Sequence, residues 1–142
     1  MLPRILTRAL TAAAAASILA LPAAAQNEPL TIGFIYPSPV ADVGWAAELN
    51  HGRETLEEQF GDKIRTIFVE NVPEGPDAAR IMNQMAAQGA DMIMLGSFGY
   101  MNDGIRLAEQ NPDMTFIHAS GYKLAPNFGN FQSRNYESSY LV

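Results

Sequence analysis

The sequence has 142 residues, with 15 acidic side chains against 9 lysines and arginines, and no cysteine. That length fits one domain, and a formal charge of −6 works against phosphate backbones and anionic lipid headgroups, so nucleic acid is not an expected partner. The missing thiols exclude disulfides, thiolate metal sites, a thiol nucleophile and a lipid-modified cysteine anchor.

The first 25 residues read as a cleaved secretory signal peptide. Arg4 and Arg8 give a positive start, Ala9 to Leu21 is apolar, and Pro22-Ala23-Ala24-Ala25 supplies the small side chains of a cleavage site after Ala25. The apolar run is shorter than the ~20 residues of a spanning helix. Cleavage removes two basic groups and no acids, leaving 7 basic against 15 acidic side chains and a charge of about −8. A freely soluble periplasmic domain over residues 26–142 is the expectation.

Beyond the leader, Thr31 to Tyr36 is an apolar, β-rich run of the kind buried on both faces of a sheet. Pro37-Ser38-Pro39 ends it. Trp45, Leu49, Gly52, Leu56 and Phe60 recur at helical spacing and predict a helix from about Gly44 to Gln59, with Glu48, Arg53, Glu54, Glu57 and Glu58 mostly on its wet side. Ile64 to Val69 is a second strand. The turn Pro73-Glu74-Gly75-Pro76-Asp77 leads into a helix with Ala78, Ile81, Met82 and Met85 as its apolar stripe and Gly89 at its end. Asp91 to Gly96 is a third strand, Asn102 to Gln110 a third helix, Met114 to Ala119 a fourth strand and Asn127 to Ser133 a fifth. From Tyr136 onward another helical pattern begins.

Strands alternating with helices of this length make βαβ units, so the expected class is α/β, a doubly wound parallel sheet with right-handed crossovers and strand order 2-1-3-4-5. Ligands of such sheets bind at the carboxyl ends of the strands, around the switch in strand order. Four loops are singled out on that rule: Tyr36 to Trp45, Glu70-Asn71, Gly96 to Asn102, and Ser120 to Lys123. They gather Tyr36, Trp45, Phe98, Tyr100 and Tyr122 at one end, with Asp42, Glu70, Asn71 and Ser97 as hydrogen-bonding groups. Aromatic faces with a few polar groups suit a flat, neutral heteroaromatic ligand better than a phosphate or a metal. Trp45 opens the first helix's stripe and also stands beside the first loop, so spacing alone allows it to pack or to stack.

Other chemistries find little support. Gly96-Ser97-Phe98-Gly99-Tyr100 matches neither a dinucleotide-binding nor a P-loop pattern. Ser97 sits at a strand-to-helix turn without the G-x-S-x-G of a nucleophile elbow. His51 and His118 lie far apart with no carboxylate cluster, so no metal, cofactor or catalytic residue is assigned.

Thr31–Tyr36, Asp42-Val43-Gly44-Trp45, Val69 to Gly75 and Ser97-Phe98-Gly99-Tyr100-Met101, in this order at successive strand ends, resemble the basic membrane protein family, the substrate-binding components of ABC transporters related to purine nucleoside receptors. The resemblance runs from about Leu30 to the last residue. It implies a type I periplasmic binding fold of two lobes that close on a purine base or nucleoside, and an ABC permease in the inner membrane as partner. Many members carry Asp-x-Ser-Phe-Asn after the first strand. Asp42 and Trp45 hold its first and fourth places, which favours ring stacking by Trp45, while Gly44 and Ala46 stand where the serine and asparagine would be. Phe98 matches an aromatic after the third strand, and Val69 to Gly75 is similar to a subfamily whose ligand is a base such as adenine. Family members are about twice this length or more, so the chain reads as a truncated first lobe expected to bind weakly or not at all. The alternatives are a binding protein for another flat or sugar-like solute, and an exported sensor domain.

Overall fold

The computed structural model describes residues 28–134 together with Glu137 and Tyr140. The leader and the helical pattern expected from Tyr136 lie outside or mostly outside these residues. In chain order the elements are β1 (Leu30–Ile35), α1 (Trp45–Phe60), β2 (Ile64–Val69), α2 (Pro76–Ala87), β3 (Met92–Leu95), α3 (Met101–Gln110), β4 (Thr115–Ala119) and β5 (Phe128–Phe131), with short 3-10 turns at Gly61–Lys63 and Phe98–Tyr100. All four strand pairings are parallel, and the order is β2-β1-β3-β4-β5, the order expected from the sequence. Every strand therefore points its carboxyl end to the same rim.

Alternation along the strands divides the core. Ile35, Ile93, Leu95, Phe116 and Phe128 face α2 and α3, where Met82, Met85, Leu107 and Ala108 meet them. Ile32, Phe34 and Tyr36 face the other way, toward Ala46 and Leu49 of α1. A parallel sheet is normally covered on both faces. Among the described residues α1 covers the second face only in part, leaving an apolar hollow of about 200 Å³ lined by Ile32, Phe34, Leu56, Met92, Met94 and Ile117.

The expected stripe of α1 needs correction. Its buried residues are Ala46, Ala47, Asn50 and Arg53, while Trp45 and Phe60 are partly exposed. Two alanines against the sheet let the helix lie close. Arg53, expected on the wet side, turns under the helix because its charge finds partners there: its Nε donates to Asn50 Oδ1 at 2.9 Å, Nη1 to Glu57 at 2.7 Å and to Thr66 at 3.2 Å. Its guanidinium carbon also lies 4.7 Å from the centre of the Phe68 ring on the edge strand β2. Helical periodicity counts apolar side chains and misses a paired cation.

Two polar groups fix the far half of the sheet. The side-chain nitrogen of Asn127, just before β5, donates to the carbonyls of Ala108, Asn111 and Met114, each at 2.9 Å. It thereby satisfies the end of α3 and ties it to the start of β4. His118 on β4 is fully buried, with its ring 6.0 Å from that of Phe128. No described residue gives a hydrogen bond to either ring nitrogen. Burial holds its pKa below the usual value, and the backbone near Ser97, Phe98 and Ala119 offsets this only in part.

Two stability measurements follow from these groups. Asn127→Asp places an acceptor against the three carbonyls, and urea unfolding should show a loss of about 2–3 kcal/mol, more than Asn127→Ala loses; equal losses would mean that the donor is unimportant. Because protonation of His118 is harder in the folded chain, the unfolded chain takes up that proton first as pH falls. Its contribution is full above about pH 6.5 and declines below it, by at most about 1.4 kcal/mol per pH unit. His118→Gln should flatten the fall in urea midpoint between pH 7.5 and 5.5, and an unchanged slope would assign the dependence to other groups.

Candidate ligand-binding site

The rim at the strand carboxyl ends is organised around Gly96. Its amide donates to the carbonyl of Ile35 at 2.9 Å, which extends the β1–β3 ladder by one residue. A β-carbon here would stand 2.6 Å from that carbonyl oxygen and 2.9 Å from Leu49, so only glycine permits the approach. The carbonyl of Gly96 in turn accepts the indole N–H of Trp45 at 2.6 Å. Trp45 is the first residue of α1, and Gly44 ahead of it has a φ of +117°, which turns the loop into the helix. The indole is thus anchored at its nitrogen while 41 % of the residue stays exposed.

Phe98 and Tyr122 form the second aromatic group. They are 56 % and 69 % exposed, with ring centres 6.2 Å apart at an angle of 39°. The loop that carries Tyr122 lies against His118, since a β-carbon on Gly121 would lie 2.6 Å from its Nδ1. Lys123 beside them bonds through Nζ to Asn102 Oδ1 at 2.6 Å.

Polar groups fasten one loop to another. Glu70 accepts the amide of Val40 at 2.6 Å and so ties the loop after β2 to the loop after β1. Ser97 Oγ donates to Glu74 Oε1 at 2.5 Å, and the amide of Gly99 donates to the same oxygen at 3.0 Å. A β-carbon on Gly99 would collide with the Glu74 carboxylate. Asn71 is exposed at the turn out of β2, with a φ of +56°, and Asp42 is exposed without a hydrogen bond or ion pair among the described residues.

Of the nine residues singled out in the sequence, Trp45, Glu70, Asn71, Ser97, Phe98, Tyr122 and Asp42 lie at the rim surface. Tyr36 and Tyr100 do not. Both are fully buried members of the core. Tyr36 is in phase with Ile32 and Phe34, so strand alternation sends it under α1. Tyr100 turns inward where its hydroxyl donates to the carbonyl of Val72 at 2.5 Å. Burial pushes both phenols up to about 12, opposed at Tyr36 by the Arg53 guanidinium and increased at Tyr100 by the charge of Glu74. Contact with a ligand on the rim is closed to both rings. Glu74 is the rim residue that sequence reading passed over: in the chain it is an acid before a helix, and its partners lie 23 and 25 residues away.

Residues 30–142 match the model of a family described as ABC transporter substrate-binding protein, PnrA-like. A purine-binding protein of Brucella abortus (strain 2308) is 43 % identical over 119 residues, covering 84 % of this chain and 34 % of the relative. A Haloferax volcanii protein named as an ABC transporter glucose-binding protein is 32 % identical over 117 residues, 82 % of this chain and 29 % of the relative. The chain spans about a third of the length of these curated relatives. An ABC transporter solute-binding protein from Conexibacter woesei shares the fold, with a TM-score of 0.65 at 19 % identity over 72 % of this chain and 35 % of that one. With a family model matched across every described strand and helix, the chain belongs to the PnrA-like family of ABC transporter substrate-binding proteins.

Proposed function

We propose that this chain forms a substrate-binding lobe of an ABC importer and that its rim takes a purine base or nucleoside. The observation that carries the reading is the anchored Trp45 indole, tied to Gly96 at 2.6 Å with its ring partly exposed. A ring held at its edge by a hydrogen bond loses little further freedom when a flat heterocycle lies on its face, and base–aromatic stacking contributes about 1–3 kcal/mol. Phe98 and Tyr122 extend the aromatic surface, and Asp42, Glu70, Asn71 and Ser97 surround it with polar groups. Tyr36 and Tyr100 support the rim from the core. The name of the Brucella relative agrees with a purine.

The name of the Haloferax relative favours a second reading, a sugar, whose apolar C–H face also packs on an indole. The rim is open to solvent, and ligand pockets usually bury most of their ligand. Most of each relative's length lies outside the matched region. A second lobe from such a region would close over Trp45 and Phe98, and the lobe alone binds weakly. Delivery to a membrane permease and export through a signal peptide ending at Ala25 complete the reading.

Trp45 is the chain's one tryptophan, so its fluorescence reports on the rim directly. Adenine, adenosine or guanosine should quench it saturably, and Trp45→Ala should weaken calorimetric binding about 5- to 100-fold with little change in thermal midpoint. Saturable quenching by glucose with none by any purine would replace the purine with a sugar. On expression in a Gram-negative host, the periplasmic protein should begin at Gln26; a chain retained with its leader in the cytoplasm would overturn the export assignment.

A further inference from the structure

Glu74 has a consequence for which ligands the rim can accept. Four of the hydrogen-bond donors there are already committed to acceptors of the chain itself. The Trp45 indole donates to Gly96 O, the Val40 amide to Glu70, and both the Ser97 hydroxyl and the Gly99 amide to Glu74. Lys123, the cation of these loops, has its amine on Asn102. Its positive charge persists, since Asn102 is neutral, but it stands against three carboxylates, Asp42, Glu70 and Glu74, and the bonds to Glu74 fall on Oε1, leaving Oε2 with lone pairs to accept. An anion arriving at this surface meets three carboxylates against one ammonium, while the Ser97–Gly99 donor pair that would hold it is filled.

We infer that Glu74 is a specificity-determining residue, an internal carboxylate that occupies the Ser97–Gly99 donor pair and so excludes phosphorylated or otherwise anionic ligands in favour of neutral ones that bring their own N–H donors. The preference for a nucleobase or nucleoside ring rests on the purine reading above; the exclusion of anions does not. The single proton of the Gly99 amide is already given to Glu74 Oε1 at 3.0 Å, so an external oxyanion has to displace that carboxylate to take it. Opposed like charges at a binding surface cost enough to separate a nucleoside from its monophosphate by at least ~10-fold.

The test follows the Gly99 amide by ¹⁵N–¹H NMR while the 142-residue chain, Glu74→Ala and Glu74→Gln are titrated with inorganic phosphate, adenosine and adenosine monophosphate. In the natural chain, phosphate should leave the Gly99 resonance unmoved, and the monophosphate should bind at least ~10-fold more weakly than adenosine. In Glu74→Ala the freed amide should respond saturably to phosphate, and the gap between the two purines should close. Glu74→Gln keeps an acceptor for Gly99 and removes the charge, so it should narrow the gap while preserving the resonance, and it carries the test if the alanine variant does not fold. The inference is overturned if the natural chain binds the monophosphate as tightly as adenosine, or if both variants change the two purines by the same factor, as a purely structural staple would. If no purine binds any version, the purine reading fails by itself, and the phosphate response of Gly99 in the natural chain against its variants decides the role of Glu74.

Discussion

The pairing of β1 with β3 at their carboxyl ends governs the rest of this molecule. Gly96 reaches close enough to β1 for its amide to bond to Ile35, and the same residue's carbonyl then fixes the Trp45 indole from α1. One glycine couples the two strands at the centre of the sheet to the aromatic ring at the centre of the rim. The strand order makes this possible: β1 lies between β2 and β3, so successive connections leave the sheet to either side and their loops part there. Any larger residue at position 96 would press on the Ile35 carbonyl, separating the strands and releasing the ring together.

Around that centre the rim is stiffened by hydrogen bonds between loops rather than by burial. Glu70 and Glu74 each take backbone or side-chain donors from a neighbouring loop. Exposed bonds of this kind add modest stability, but they hold the loops in register while leaving aromatic faces open. Buried and part-buried groups carry the load below: Tyr100 on the Val72 carbonyl, Asn127 on three carbonyls at the end of α3, and His118 under Gly121. The result is a packed floor beneath a rim that is open among the described residues.

The α1 face has a different economy from the α2–α3 face. Two helices and a continuous apolar cluster cover one side of the sheet. On the other, among the described residues, a single helix approaches through alanines, a paired arginine crosses to the edge strand, and an apolar hollow remains over β1, β3 and β4. Burial of a charge is tolerated there because Asn50, Glu57, Thr66 and the Phe68 ring replace the water that Arg53 gives up.

The sequence by itself determined the elements, the sheet order and which loops gather at one end of the sheet. These depend on local signals and on chirality: uninterrupted apolar runs for buried strands, helical spacing between them, glycine and proline at the turns, and right-handed crossovers. It also determined which loops carry aromatic side chains. Only the tertiary structure decided which of those side chains face outward, because orientation at a strand or helix end depends on what lies beneath. Tyr36 follows the alternation of β1 into the core, Tyr100 is drawn in by the Val72 carbonyl, and Trp45 is held at the surface by the Gly96 carbonyl. The burial of Arg53 and His118 and the reach of Glu74 to Ser97 and Gly99 were likewise tertiary outcomes. Each joins residues far apart in the chain, and neither residue type nor local spacing carries the distance between them.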